Sequence, residues 1–216
     1  MRKLSKLAAV IIALPLTFNT APADDQPIDP AVAYAEAQAV MQRTTRQLLN
    51  HLREHIKDYS ENEELLYMML RETVLPVVDT RLISRLVLGT HWKTASKSQQ
   101  ERFAASFQAA LIRNYGKALL LLPDIRIEYI PEAPGERPRK KYQVVRTKVM
   151  TSTNQAPLSI NYSMINRQGW KVFDIIIDGT SIAKQFRDGF DQEIRETGFE
   201  ALLMRLENAD GAPAKS

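Results

Sequence analysis

No cysteine occurs in the 216 residues, so neither a disulfide nor a lipid anchor on cysteine is available to this chain. No apolar run approaches the roughly 20 residues that a bilayer-spanning helix needs. The longest, residues 7–18, is about a dozen. A sustained basic surplus is also missing. The formal charge is +4, and three of those charges, Arg2, Lys3 and Lys6, precede the apolar run, which leaves about +1 for the rest. Nucleic acid is therefore not an expected partner. No G-x-S-x-G elbow, P-loop or dinucleotide fingerprint is present, and there is no internal repeat or low-complexity stretch.

What stands at the N-terminus has the form of a leader. Arg2, Lys3 and Lys6 are followed by the apolar run and by Ala21-Pro22-Ala23, the pattern of a secretory signal peptide with a small-x-small cleavage site. We expect residues 1–23 to be removed and the mature chain to start at Asp24. An exported domain without disulfides depends on its core, and a chain of this length can bury one. Residues 24–207 are expected to form a single domain. Residues 208–216 hold too few apolar side chains to pack and read as a disordered tail.

Asp29 before Pro30 is an N-cap followed by proline at the first helical position. The pattern through Val32, Met41, Leu48, Leu49, Leu52 and Ile56 predicts a long amphipathic helix over 30–57. Residues 60–63 break it, and a second helix through Leu65, Leu66, Met69 and Leu70 ends or kinks at Pro76. Asp79 or Thr80 caps a short helix over 81–88, with Gly89 at its C-terminus. Ser96 with Gln99 is a capping box. The helix it opens carries Phe103, Phe107, Leu111, Tyr115 and Leu119 at i, i+4 spacing, five large side chains stacked along one face.

From Ile125 the period changes to two: Ile125, Ile127 and Tyr129 alternate with Arg126 and Glu128. Strands follow over 142–150, 158–165 and 170–177, separated by a turn over 131–138, a polar loop over 151–157 and a hairpin loop over 166–169. Alternation assigns Val145, Thr147 and Val149, then Leu158, Ile160, Tyr162 and Met164, then Phe173, Ile175 and Ile177 to apolar faces. Ser181 caps a helix bearing Ile182, Phe186, Phe190 and Ile194, which Gly198 stops, and a last helix covers 199–206. The class is α+β: an antiparallel sheet of about four strands, one face covered by N-terminal and C-terminal helices. The Phe103 helix is expected to lie on that face.

Three clusters invite a chemical reading. His51-Leu52-Arg53-Glu54-His55 matches the H-x-x-E-H zinc-peptidase pattern, yet no second motif offers a third ligand, and a solvated helix face is the expected role. His91 stands alone beside Trp92, where helix-end packing is expected. Arg137-Pro138-Arg139-Lys140-Lys141 is a basic run between strands, read as a solvated hairpin flank or as an attractor of anionic headgroups or an acidic partner. Asp174 and Asp178, four apart at a strand end, fit either a turn or a general base in an apolar cone, with Tyr162 or Tyr115 polarising a small substrate.

Three segments together carry a family resemblance. Leu75-Pro76-Val77-Val78-Asp79 comes first; Leu86-Val87-Leu88-Gly89 with Trp92, Gln99-Gln100-Glu101-Arg102-Phe103 and residues 111–115 follow. The third is Gly169-Trp170-Lys171-Val172-Phe173-Asp174 with Asp178-Gly179-Thr180-Ser181-Ile182. In order and spacing they resemble the toluene-tolerance family, the periplasmic phospholipid-binding component of the Mla (maintenance of lipid asymmetry) pathway. Thr180 departs from the small apolar residue expected there. The resemblance implies a curved sheet of the nuclear-transport-factor-like cone type joined to a helical part, with acyl tails held between them. It also implies a monomeric periplasmic carrier that is not an enzyme and has no cofactor beyond its phospholipid cargo. Its partners would be an outer-membrane lipoprotein–porin complex and an inner-membrane transporter of the ATP-binding-cassette type. On this reading the tail contacts are Val74, Val78, Ile83, Leu86, Val87, Phe107, Leu111 and Tyr115 from the helices. From the sheet they are Val145, Val149, Ile160, Tyr162, Met164, Ile175 and Ile177. Arg146, Lys148 or the 137–141 run would meet the phosphate. The alternative is a small-substrate enzyme on a similar cone with Asp174 as general base.

Overall fold

The computed structural model describes residues 29–120, 124–131, 141–151 and 156–208. The leader, the basic run except Lys141, and the tail beyond Asn208 lie outside the described residues. Helix α1 (Pro30–Glu61) starts where Asp29 accepts from the Ala31 N–H at 2.9 Å. It runs past the expected end at 57, because the chain only bends at His55 (φ −125°, ψ 23°) instead of stopping. Asn62 then caps α2 (Glu63–Thr73) by accepting from the Glu64 N–H. Pro76 sits in a 3₁₀ turn, Leu75–Val77. Asp79 caps α3 (Thr80–Leu88) through a 2.9 Å bond from the Leu82 N–H, and Gly89 ends it at φ 54°, which glycine adopts without steric cost. After the short α4 (His91–Thr94), both halves of the Ser96–Gln99 capping box are formed at the start of α5 (Lys97–Leu119).

The strands β1 (Arg126–Ile130), β2 (Tyr142–Met150), β3 (Leu158–Asn166), β4 (Trp170–Ile177) and β5 (Thr180–Ser181) form one antiparallel meander in chain order. It holds one strand more than expected, because the two residues after the Gly179 turn pair with the end of β4. Helices α6 (Ile182–Thr197) and α7 (Phe199–Glu207) follow. The class is α+β, with an open curved sheet.

The faces of β4 differ from simple alternation. Ser163 pairs with Asp174 and Met164 with Val172, so one residue of β4 is skipped. Such a bulge reverses the side-chain parity on either side of it. Trp170 and Val172 therefore join Val145 and Met164 on the buried inner face. Phe173 leaves the Ile175–Ile177 face and packs edge-on against Tyr142, 6.2 Å between ring centroids.

The inner face is covered by the N-terminal half of α1, not by α5. Ala33 and Ala37, both fully buried, let this helix lie close over Val145, Met164, Trp170 and Val172. Hydrogen bonds hold it there, among them Trp170 Nε1 to Glu36 Oε2 (3.1 Å), the Tyr34 hydroxyl to the Ile130 carbonyl (2.7 Å), and the Tyr129 hydroxyl to Thr45 Oγ1 (3.2 Å). The C-terminal half of α1 packs on α2 and α5 through Leu52, Leu66, Leu70 and Ile112. Gly116 permits that approach, since a Cβ there would lie 3.0 Å from Leu70 Cδ1.

The aromatic ladder of α5 faces α3, α6 and α7. Phe103 and Phe107 stack on each other at 5.4 Å, and Phe107 meets Phe186 and Phe190 edge-on at 5.0 and 5.6 Å. On a helix of 3.6 residues per turn, each four-residue step rotates the stripe by about 40°. Leu111 is accordingly only half-buried and Tyr115 is 55% exposed, its ring reaching the edge of Phe186.

Candidate functional site

Apolar side chains that stay half-buried in a folded chain mark where a core ends or where something else completes it. Here each of the three packed regions is bordered by such side chains. Ile83, Leu86 and Leu111 border the phenylalanine core. Val74, Leu75, Leu119, Leu120, Ile125 and Ile127 border the α1–α2–α5 core, and Tyr129, Tyr162 and Ile175 border the α1–sheet core. Besides α1, whose two halves belong to different cores, α5 and the connector after α2 cross from one region to another. Helix α5 supplies Phe107 to one core and Ile112 to the next. The connector after α2 carries Val74 in one core to Val78, which bridges to Val172 of another.

The expected tail-contact residues divide among these regions. Ile83, Leu86, Val87, Phe107 and Leu111 are brought together, with Tyr115 at their edge. Val145, Tyr162, Met164 and Ile175 are brought together under α1, and Val78 touches that group through Val172. Val74 belongs to the α1–α2–α5 group. Val149 lies opposite Ile127 and Leu158, and Ile160 pairs with Ile177 at the end of the sheet away from Trp170. Val87, Phe107, Val145 and Met164 are enclosed by protein, at 2% exposure or less. Ile160, Ile175 and Ile177 keep part of their surface open although they lie on the inner face.

The apolar strip holds a polar thread. The Thr147 hydroxyl donates to the Ile160 carbonyl at 2.7 Å, and Thr147 lies near the Tyr162 hydroxyl. Burial pushes the Tyr162 phenol up to about 12, with nearby Tyr129 adding to the effect. Burial raises the Tyr129 phenol as well, so both stay neutral inside an apolar wall, and Tyr129 donates to Thr45.

The charged candidates lie elsewhere. Arg146 and Lys148 sit at the intervening register positions of β2, on the face opposite Val145, Thr147 and Val149. Asp174 does not enter an apolar cone, because the bulge places it opposite Ser163 on the outer face. Its Oδ1 accepts from the Ile175 and Ala183 N–H groups at 2.9 and 3.0 Å, and its Oδ2 accepts from the Ser181 hydroxyl at 2.6 Å. It joins β4 to the start of α6, the turn role. Asp178 exchanges two hydrogen bonds with Ser159. His51 and His55 are exposed on α1, and His55 Nδ1 lies 3.2 Å from Asp58. His91 Nε2 lies 2.7 Å from Asp191, tying α4 to α6.

Pattern reading passed over Ala33 and Ala37, and it named Met41, Leu75, Leu119, Ile125 and Ile127 without assigning the first to the sheet cover or the others to the border of the α1–α2–α5 core. The four-residue spacing of Ala33, Ala37 and Met41 was the available signal for the first set. The second set sits where helices end and β1 begins, and periodicity within one element does not say which other elements meet it there.

Comparison with known proteins gives concordant matches. The family model described as MlaC protein matches residues 42–208. The toluene tolerance protein ttg2D of Pseudomonas putida is 32% identical over 169 residues, 77% of this chain and 77% of the relative. The intermembrane phospholipid transport system binding protein MlaC of Haemophilus influenzae is 21% identical over 186 residues, 85% of this chain and 86% of the relative. Among solved structures, the phospholipid-binding protein from Ralstonia solanacearum in complex with a phospholipid superposes with a TM-score of 0.72 at 24% identity. That match covers 83% of this chain and 99% of the other, and it establishes the likeness of fold.

Proposed function

The chain belongs to the MlaC protein family, and from that premise we propose that it binds phospholipid and carries it between membranes. The acyl tails lie along the seams where half-buried apolar side chains of the sheet and the helices border one another. Ile160, Ile175 and Ile177 form the sheet side, and Val74, Val78, Ile83, Leu86 and Leu111 the helical side. Val87, Phe107, Val145 and Met164 back these walls as packed core, and Val149 closes the sheet end. Tyr115 stands at the rim. The observation that carries this reading is the contrast along one strand face: Met164 is enclosed beneath α1, while Ile160, four residues away on the same face, is not. The relatives' phospholipid-binding names support it independently.

The energetics restrict how such a carrier exchanges cargo. Exposing a buried methylene to water costs about 0.8 kcal/mol, so releasing two long tails into water costs on the order of tens of kcal/mol. Transfer to another apolar environment avoids most of that cost. Exchange therefore takes place while the mouth of the seam is docked against a membrane complex. We assign the carrier to the periplasm, reached by cleavage of the leader. It works as a monomer between an outer-membrane lipoprotein–porin complex and an inner-membrane transporter of the ATP-binding-cassette type, and so maintains outer-membrane lipid asymmetry.

The test is direct. The purified protein, examined by native mass spectrometry and by extraction with chromatography, should hold phospholipid in stoichiometric amount and keep it through prolonged dialysis. A preparation free of lipid, and unable to take it from vesicles, would overturn the proposal.

A further inference from the structure

Between the bent end of α1 and helix α2 lies a groove of about 330 Å³. The His51 and His55 rings stack along its α1 wall, 6.5 Å apart, and His55 continues to Tyr59 at 5.8 Å. Tyr59 and Met69 are buried at its floor, while Leu65 and Met68 on the α2 side are 39% and 49% exposed. The bend at His55 sets this wall apart from the straight part of α1. A small-molecule pocket encloses its ligand, whereas this is a surface groove with two large apolar side chains at its lip. An open groove with apolar side chains at its lip is the kind of surface on which an amphipathic helix lays its apolar face, and exposed methionine adapts to varied apolar partners.

The charge around the groove narrows the choice of occupant. Asp58 and Glu72 stand in its lining and no lysine or arginine does. After burial itself, Asp58, Glu54 and Glu72 in turn push the Tyr59 phenol up, which places all three carboxylates within electrostatic reach of the floor. An anionic lipid surface is repelled by such a rim. A second copy would bring the same carboxylates against each other across a twofold axis, which is unfavourable. A basic partner meets neither penalty.

We infer that this groove is a docking site for an amphipathic helix of a partner protein, its apolar face covering Leu65 and Met68 and its flanking lysines or arginines meeting Asp58 and Glu72. The H-x-x-E-H run of α1 thereby has a role as a recognition wall, independent of lipid carriage.

Two synthetic helical peptides on the same heptad pattern, one of leucine and lysine, the other of leucine and glutamate, test this on the full-length protein. Nuclear magnetic resonance titration should show the leucine–lysine peptide shifting amide signals of residues 51–73, and the leucine–glutamate peptide leaving them unmoved. Met68→Asp should weaken the first peptide at least tenfold. The double change Asp58→Lys with Glu72→Lys should reverse the preference between the two. Bound phospholipid should stay unchanged in every variant, which separates this result from the carrier proposal. Equal binding of both peptides, no binding of either, or shifts confined to other surfaces would overturn the inference. So would dimerisation that Met68→Asp abolishes, or anionic vesicles bound through these residues.

Discussion

The backbone N–H of Asp79 donates to the carbonyl of Val172 at 2.8 Å, joining the connector after α2 to the outer edge of β4. Beyond this point β4 is paired by β5 only at Ile176 and Ile177. The edge is thus covered in two pieces, one from each side of the sheet in sequence. Arg167, 3.5 Å from the Asp79 carboxylate, and Lys171, donating to the Pro76 carbonyl at 3.1 Å, add to the same junction.

Asp79 therefore serves as helix cap and edge contact together. Asp79→Ala should lower stability by about 1–2 kcal/mol through loss of the cap, a fall in Tm of about 2–8 °C for a domain of this size. Asp79→Asn keeps the acceptor and should lose less. Urea unfolding of the three proteins measures the difference, and equal losses for Ala and Asn would show that the cap is not the source.

Phe107 and Ile177 should respond in opposite ways. Phe107, 2% exposed among three other phenylalanines, is a packed core position where Phe→Ala costs about 3–5 kcal/mol. Phe107→Asp should leave the chain unfolded, with loss of the cooperative thermal transition. Ile177→Asp, at a half-buried strand end, should keep the circular dichroism spectrum and reduce co-purifying phospholipid severalfold. A folded, lipid-free Phe107→Asp would place the tails in the phenylalanine core instead.

Asp174 is predicted to act on stability alone. Asp174→Ala leaves two backbone N–H groups and the Ser181 hydroxyl without their acceptor, at about 1–3 kcal/mol for buried unpaired groups. Phospholipid per protein, measured as extracted phosphorus, should be unchanged. A loss of lipid with no change in Tm would give Asp174 a part in binding.

Tyr162 contributes to alkaline behaviour. Its folded value of about 12 lies above the ordinary 10.0, so the stabilisation it gives is complete below pH 10 and lost as the pH rises towards 12. Tyr162→Phe removes this dependence. Its urea midpoint should fall less steeply between pH 9.5 and 11.5 than that of the unaltered protein. Parallel curves for the two proteins would show that Tyr162 ionises as freely as an exposed phenol.

Helix starts were legible because their signals are local. Asp29, Asp79, Ser96 and Ser181 cap the helices they were expected to cap. What covers what was not legible. The spacing of Phe103 and Phe107 says that one side of α5 is buried and says nothing of the partner, which is α6 and α7 and not the sheet. The β4 bulge left no mark either, since Val172-Phe173-Asp174 contains no glycine and alternates on both sides of the skipped residue. The pairing of Trp170 with Glu36 spans 134 residues and depends on how close Ala33 and Ala37 let α1 approach. Of the candidate seam, the individual apolar residues could be read from the sequence. Their division into enclosed and half-open positions depends on these long-range contacts.

Helix α1 has 32 residues and its bend at His55 lies near its C-terminal end, so the straight part before the bend is about 38 Å at 1.5 Å per residue. One half is bound to the sheet and the other to α2 and α5. It works as a splint laid across the parts that border the seam, and their spacing cannot change much without bending it or tearing off one half. On the proposed carrier reading, capacity then follows from the size of the side chains on the seam's walls. Across relatives, exchange of isoleucine for smaller or larger residues along the seam would then be the means of fitting shorter or longer tails.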